Sequence, residues 1–160
     1  MNKLSNIGLI GLAVMGENLA LNMERNGFQV SVYNRAEGAE SEVVSRFMSG
    51  RGAGKRFLGF TDLKDFVASI ERPRKIMMMI RAGKPVDLVI EALLPYLEAG
   101  DIVIDGGNSN WEDSERREAF LREHGVFFVG CGISGGEEGA LNGPAIMPGG
   151  AKEAWPTLEP

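Results

Sequence analysis

The chain has 160 residues, of which 44% are hydrophobic and 24% charged, and these proportions exclude a disordered chain, a collagen-like chain and a disulfide scaffold. A net charge of −5 argues against non-specific binding to nucleic acid or membranes but leaves room for a local basic site for a small anion. One cysteine and one histidine exclude an internal disulfide and a multi-histidine metal centre, so we expect a cytoplasmic protein without a metal.

Short apolar, β-branched runs alternate along the chain with amphipathic stretches. The predicted strands are residues 5–10, 29–33, 75–80, 101–105, 126–129 and 145–147. The predicted helices are residues 16–26, 37–48, 61–70, 85–97, 109–123 and 151–155. This order, with strands apolar on both faces, predicts an α/β domain with a doubly wound, mostly parallel sheet.

A glycine-rich turn directly follows the first predicted strand and opens the first predicted helix. It reads Gly11-x-Ala13-x-x-Gly16, in which the first glycine makes a tight turn, the second position stays small and the third lets helix and strand pack closely. Free N–H groups and the positive end of the helix dipole then face the phosphates of a dinucleotide. Such turns also occur without a ligand, so the prediction of dinucleotide binding depends on the position of this turn in a β-α-β unit.

The end of the second predicted strand indicates which dinucleotide is bound. A site for NAD usually places Asp or Glu there to accept hydrogen bonds from the ribose hydroxyls. This chain has Asn34, Arg35 and Ala36, and its first acid is Glu37. A guanidinium pairs with a 2′-phosphate that a carboxylate would repel. Arg35 therefore favours NADP over NAD, and a solvated surface arginine is the alternative.

Residues 50–56 resemble a phosphate-binding P-loop, but their spacing is one residue short. Arg56 also stands where Ser or Thr would hold magnesium. We therefore expect the whole segment 51–60 to be a flexible basic loop, with charges near the phosphate that Arg35 would bind.

Two further glycine-rich segments follow predicted strands, at the edge where open parallel sheets bind ligands. Residues 105–109 read Asp-Gly-Gly-Asn-Ser, and residues 130–139 contain Ser134 followed by two glycines. Asn108 can donate and accept hydrogen bonds, which suits a hydroxylated substrate or a carboxamide. Ser134 and the N–H groups that follow it can form an anion-binding concavity. Turn chemistry explains either segment alone, but two at one edge favour a site.

Several segments together resemble the decarboxylating 6-phosphogluconate dehydrogenases. They are residues 10–16, 34–35, 105–109, 134–140 and 143–150, the last reading Gly-Pro-Ala-Ile-Met-Pro-Gly-Gly. The resemblance extends over essentially the whole chain. Its specific part is the stretch 134–150, because the first turn also fits the wider β-hydroxyacid dehydrogenase group. It implies that residues 1–160 form a Rossmann-like NADP-binding domain, and that the family's large helical domain lies beyond them.

The resemblance implies oxidative decarboxylation of 6-phosphogluconate to ribulose 5-phosphate, in the pentose phosphate pathway and gluconate utilization, with NADP as hydride acceptor. The implied cofactor-binding residues are Gly11, Leu12, Ala13, Val14, Met15, Gly16, Asn34, Arg35, Ala36, Arg81, Ala82 and Asn108. The implied substrate-binding residues are Asn108, Ser134, Gly135 and Gly136. The family's lysine general base and glutamate general acid lie beyond residue 160, so we assign no catalytic residue here. We expect the full-length enzyme to be a homodimer, and this chain alone to bind NADP(H) with little or no turnover.

Two positions depart from the family pattern. Ala36 replaces a Thr or Ser, which softens the expected preference for NADP, and Arg81 replaces a lysine while keeping its charge. Two other interpretations stay open: a stand-alone module that binds NADP(H) without chemistry, and a related 3-hydroxyacid dehydrogenase with another substrate. A reading frame that continues past Pro160 would favour the enzyme over the module, and the match at residues 134–139 argues against the related dehydrogenase.

Overall fold

Seven strands form one sheet in the computed structural model, which describes residues 3–160. In chain order they are β1 (Ile7–Ile10), β2 (Val30–Tyr33), β3 (Phe57–Phe60), β4 (Lys75–Met78), β5 (Ile102–Asp105), β6 (Phe127–Ser134) and β7 (Ala145–Gly150). Their order across the sheet is β3-β2-β1-β4-β5-β6-β7. The first six are parallel, and β7 is antiparallel to β6. The predicted α/β class with a doubly wound, mostly parallel sheet is confirmed.

Helices connect the strands and cover both faces of the sheet. They are α1 (Val14–Arg25), α2 (Val43–Ser49), α3 (Leu63–Ala68), α4 (Lys84–Leu93), α5 (Trp111–Arg122), α6 (Gly136–Asn142) and α7 (Trp155–Leu158). Single 3-10 turns lie near three of them, at Gly38–Glu40, Leu94–Tyr96 and Lys152–Ala154. Within the described residues, no helix has both the length and the apolar character that crossing a membrane requires.

The apolar core has two layers, one on each side of the sheet. Along β4, Met77 belongs to the same buried cluster as Leu19 of α1. Its neighbours Ile76 and Met78 belong to the opposite cluster, with Phe66 of α3. Successive residues of the strand are therefore buried on alternate faces, and a shift of register by one residue would place each of them in the wrong layer.

The interpretation of segment 51–60 as a loop is wrong for its second half. Residues 57–60 are β3, which pairs in parallel with β2 at the edge of the sheet. Phe57 is buried there and packs edge-on against Phe47 of α2, with ring centroids 5.0 Å apart. This strand contains no β-branched residue, lies partly exposed at the edge of the sheet and follows a basic stretch, so its sequence pattern does not indicate a strand.

Two other sequence interpretations also need correction. β6 continues to Ser134, so residues 130–134 are strand, not the glycine-rich loop that the sequence suggested. Helix α5 is capped by Asn110, whose side chain accepts a hydrogen bond from the N–H of Glu112. The helix predicted to begin at Ser109 begins at Trp111, and the Ser109 hydroxyl donates to the Asp105 carboxylate.

The end of β1 and the start of α1 approach each other very closely. Gly11 has a φ of +101°, and a Cβ added at Gly16 would lie 1.8 Å from the carbonyl oxygen of Gly11. The predicted reason for a glycine at this third position, close packing of helix and strand, therefore holds.

We expect Gly16→Ala to destabilise the fold by about 2 kcal/mol or more, because the new methyl group must displace backbone. Gly139→Ala in α6 is the matched control, because its Cβ would meet its nearest atoms at ordinary distances of 3.6 and 3.9 Å. The control should gain up to about 1 kcal/mol, since alanine has the higher helix propensity. Urea denaturation measures both changes. An unchanged stability of Gly16→Ala would contradict the close packing.

Candidate functional site

The carboxyl ends of the six parallel strands lie along one edge of the sheet. All the sequence-predicted site residues lie at this edge: residues 11–16 after β1, 34–36 after β2, 81–82 after β4, 108 after β5 and 134–136 at the end of β6. β1 lies between β2 and β4, which is where the chain reverses its direction of travel across the sheet. Doubly wound sheets bind ligands at this switch point, and the first turn lies directly on it.

The amino terminus of α1 presents unused hydrogen-bond donors. In the described part of the chain, the backbone N–H groups of Val14, Met15 and Gly16 have no acceptor, and the Ala13 side chain provides no cap. Both Ala13 and Val14 are exposed. The donors and the positive end of the helix dipole together form a cradle for a phosphate.

Asn34 is buried at the end of β2 and connects this strand to the first turn. Its Oδ1 accepts a hydrogen bond from the backbone N–H of Leu12 at 3.0 Å. Its Nδ2 donates to the carbonyl oxygen of Arg35 at 3.0 Å and to Oε2 of Glu40 at 2.7 Å. The Asn34 side chain therefore braces the glycine-rich turn through its hydrogen bond with Leu12, a role that the sequence did not indicate.

Arg35 is exposed beside the cradle and is already paired. Its Nε donates to Oε1 of Glu40 at 2.8 Å, and its Nη2 lies 2.6 Å from the same oxygen. The hydrogen bonds from Arg35 and Asn34 hold the pKa of Glu40 below its ordinary value. The sequence analysis did not identify Glu40 as a partner of Arg35. The available signal is that Glu40 follows Arg35 by five residues, which is close enough for the two side chains to meet across a short turn.

The basic segment before β3 is anchored on α1, which corrects the expectation of a flexible loop. Arg56 donates to the carbonyl oxygens of Glu24 and Gly27 at the end of α1. Arg51 pairs at 2.9 Å with Glu17 in the first turn of the helix. The Arg51 guanidinium therefore packs against α1, the helix that carries the cradle, and like Arg35 it is paired with a carboxylate.

The loop after β5 is held in a defined shape by Asp105. One carboxylate oxygen of Asp105 accepts from the N–H of Gly107 at 2.9 Å, and the other accepts from the hydroxyl of Ser109. Asn108 has a φ of +56° in consequence. The Asn108 side chain accepts from the N–H of Ile133 at 3.1 Å and so connects β5 to β6.

A buried arginine of α5 supports this loop from inside the domain. Arg117 is 1% exposed, donates at 2.8 Å to Asp87 and at 3.0 Å to the carbonyl oxygen of Gly83, and lies 3.6 Å from Asp105. Sequence reasoning missed it. The available signal is its spacing of four residues from buried Leu121, which places Arg117 on the inward face of the helix.

The glycines after β6 lie at the same edge and are held by α1. Gly135 and Gly136 have φ values of +125° and +62° and begin α6, with Ser134 exposed beside them. Asn18 and Asn22 of α1 donate to carbonyl oxygens of α6, both at 3.1 Å. The helix that carries the phosphate cradle therefore also positions the segment predicted to contact substrate.

Two other predicted cofactor-binding positions are exposed to solvent. Arg81 and Ala82 are exposed between β4 and α4.

A groove that borders Asn108 has a volume of about 890 Å³ and runs between α5 and the β6–β7 edge, past Trp111 and Met147. Cys131 lines this groove, and burial raises the pKa of its thiol, which disfavours the reactive thiolate.

The phosphate cradle at the amino terminus of α1 lies at the switch point of the sheet, and a guanidinium follows the neighbouring strand β2. Together these features define a dinucleotide-binding domain. Residues 6–160 match the family model of the NAD binding domain of 6-phosphogluconate dehydrogenase, and the chain belongs to that family. The resemblance noted in the sequence is confirmed.

Relatives and solved structures agree with this assignment. The decarboxylating 6-phosphogluconate dehydrogenase of Chlamydia pneumoniae is 60% identical over 156 residues, covering 98% of this chain and 32% of that protein. The enzyme of Treponema pallidum is 55% identical, covering 98% and 31%. The Plasmodium falciparum enzyme, described in its apo form and in complex with NADP+ and with 6-phosphogluconate, superposes with a TM-score of 0.87 at 40% identity, covering 96% and 32%.

A Mycobacterium tuberculosis 3-hydroxyisobutyrate dehydrogenase has a TM-score of 0.78 at 22% identity, covering 98% of this chain and 51% of that one. This likeness shows a shared fold. The chain spans about a third of the length of the curated relatives it matches.

The Asp87–Arg117 pair should make stability depend on pH in acid. The hydrogen bond from Arg117 is the main cause that lowers the pKa of Asp87 from 3.8 to about 2. Because the pKa is depressed in the folded state, the stabilisation is complete above about pH 5 and is lost as the pH falls toward 2. We expect the stability difference between the unsubstituted chain and Asp87→Asn to shrink by about 2 kcal/mol over that range.

Chemical denaturation at a series of pH values measures this difference. Glu91→Gln removes an exposed acid from the same helix and is the control for the change of net charge. A difference for Asp87→Asn that stays constant with pH would show that the ion pair does not shift this pKa.

Proposed function

We propose that this chain binds NADP(H) as the cofactor domain of a 6-phosphogluconate dehydrogenase. The observation that carries the proposal is the amino terminus of α1 beside Asn34 and Arg35, whose first backbone N–H groups have no acceptor in the described residues. The cradle fits a pyrophosphate because its donors are backbone groups at a glycine turn, and the guanidinium fits a 2′-phosphate. The match to the family's NAD-binding model supports the same conclusion.

Each predicted residue has a place in this proposal. The backbone of residues 11–16 binds the pyrophosphate, Arg35 and Ala36 border the 2′-phosphate, and Arg81 and Ala82 lie along the dinucleotide. Asn34 braces the turn through Leu12. Bound NADP+ supplies the hydride acceptor, and the residues of this chain bind and orient it.

The proposed substrate is 6-phosphogluconate, oxidised and decarboxylated to ribulose 5-phosphate. Asn108, Ser134 and the N–H groups of Gly135 and Gly136 would hold the sugar acid, next to the groove that borders Asn108. We place the lysine base and glutamate acid of the family in the part of the relatives that this chain does not match. A cytoplasmic location and a homodimeric full-length enzyme complete the proposal.

Arg35→Ala should weaken NADP+ binding about tenfold to a hundredfold, because a charge-assisted contact to the 2′-phosphate is lost. NAD+ binding should change much less, since that cofactor lacks the phosphate. Calorimetric titration with each dinucleotide measures both affinities. Arg46→Ala, an exposed arginine of α2, is the control and should leave both unchanged. An unaltered NADP+ affinity in Arg35→Ala would refute the role of Arg35.

The chain by itself should bind NADP+ without reducing it when 6-phosphogluconate is added. Proton transfer needs an acid and a base within hydrogen-bond reach of the sugar, and neither is assigned within residues 1–160. The absorbance of NADPH, followed with both ligands at saturation, tests this expectation. Clear, sustained NADPH formation would overturn it and would place the catalytic groups within this chain.

A further inference from the structure

Arg35 does not meet a ligand as a free cation. Two of its donors, Nε and Nη2, share Oε1 of Glu40 at 2.8 and 2.6 Å. The other oxygen of Glu40 accepts from Nδ2 of Asn34 at 2.7 Å. Both oxygens of this carboxylate are therefore occupied, one by the residue proposed to bind the 2′-phosphate and the other by the residue that braces the first turn.

We propose that Glu40 sets the dinucleotide preference of this chain by occupying Arg35 and lowering its affinity for a 2′-phosphate. The proposal rests on the function proposed above, in which Arg35 binds that phosphate. It identifies Glu40 as a specificity-determining residue.

The first part of the argument is the number of donors. A guanidinium has five N–H donors in a fixed plane, and Glu40 takes one edge of that plane. A phosphate must use the remaining donors or displace the carboxylate. In the first case Arg35 binds the phosphate with fewer hydrogen bonds than a free guanidinium would form, and in the second case the phosphate must break the contacts between Arg35 and Glu40 before it binds.

The second part is charge. Arg35 and Glu40 together carry no net charge, and Glu37 adds another negative group close enough to act on Arg35. A phosphate bound to Arg35 therefore lies near a carboxylate that repels it, whereas a bare ribose hydroxyl carries no charge to be repelled. Glu40 thus penalises NADP(H) and leaves NAD(H) nearly unaffected.

The third part is that the pair can rearrange. The Arg35 side chain is 66% exposed and that of Glu40 36% exposed. Exposed ion pairs contribute little stability, so an incoming phosphate can exchange with Glu40 without loss of the fold. The hydrogen bond from the Leu12 N–H to Asn34 Oδ1 does not involve Glu40, so this exchange does not require it to break.

Glu40→Gln separates charge from shape. The glutamine keeps an oxygen that can accept from Arg35 and a similar volume, but it removes the negative charge. Glu42→Gln is the matched control, because it makes the same change of net charge two residues along the chain. The Glu42 side chain is exposed and accepts a hydrogen bond from the Ser45 hydroxyl. Affinities for NADP+ and NAD+ are measured by calorimetry for both variants, for Arg35→Ala and for the unsubstituted chain.

We expect Glu40→Gln to bind NADP+ about threefold to tenfold more tightly at low salt, with less gain at high salt, because the effect is a screened charge interaction. NAD+ affinity should stay within about twofold, and Glu42→Gln should resemble the unsubstituted chain. An unchanged or weaker affinity of Glu40→Gln for NADP+ would overturn the proposal while Arg35→Ala still loses NADP+. If Arg35→Ala keeps its NADP+ affinity, the proposed function fails, and the role of Glu40 fails with it.

Discussion

The contact on which this structure depends is between two pieces of backbone, at the point where β1 ends and α1 begins. Gly16 lies so close to the carbonyl of Gly11 that no side chain fits between them. This close approach places the amino terminus of α1 at the edge of the sheet, where its first N–H groups have no partner among residues 3–160. A larger residue at position 16 would move the helix, and the donors would no longer converge on one point.

Helix α1 also connects the two halves of the site. Its amino terminus forms the phosphate cradle, and further along Asn18 and Asn22 hold the carbonyls of α6 behind Ser134. On the other side, Arg117 and Asp105 give the Asn108 loop its shape, and Asn108 binds the backbone of β6. The segments proposed to contact cofactor and substrate are therefore positioned by shared, partly buried hydrogen bonds, as the proposed hydride transfer between two ligands would require.

The charge distribution of the site differs from that of a pocket lined with unpaired basic side chains. Three arginines near α1 and β2 each pair with a carboxylate: Arg35 with Glu40, Arg51 with Glu17 and Arg56 with Glu24. Such pairs on the surface add little to stability, but they keep this part of an acidic chain locally neutral. In the function proposed above, affinity for the pyrophosphate would depend on the oriented backbone donors, and discrimination at the 2′-position would depend on the exchangeable pair of Arg35 and Glu40.

The sequence by itself determined the fold class, the glycine turn and the family, because these depend on local patterns: the alternation of apolar runs with helices and fixed spacings such as that from Gly11 to Gly16. It placed Arg35 after the second strand but could not show that Glu40 occupies it. It missed β3, whose four residues become a strand by pairing with β2. It also missed Arg117, whose partners Asp87 and Asp105 are 30 and 12 residues away along the chain. Only the tertiary structure decided these features, since long-range pairing and burial depend on which elements become neighbours.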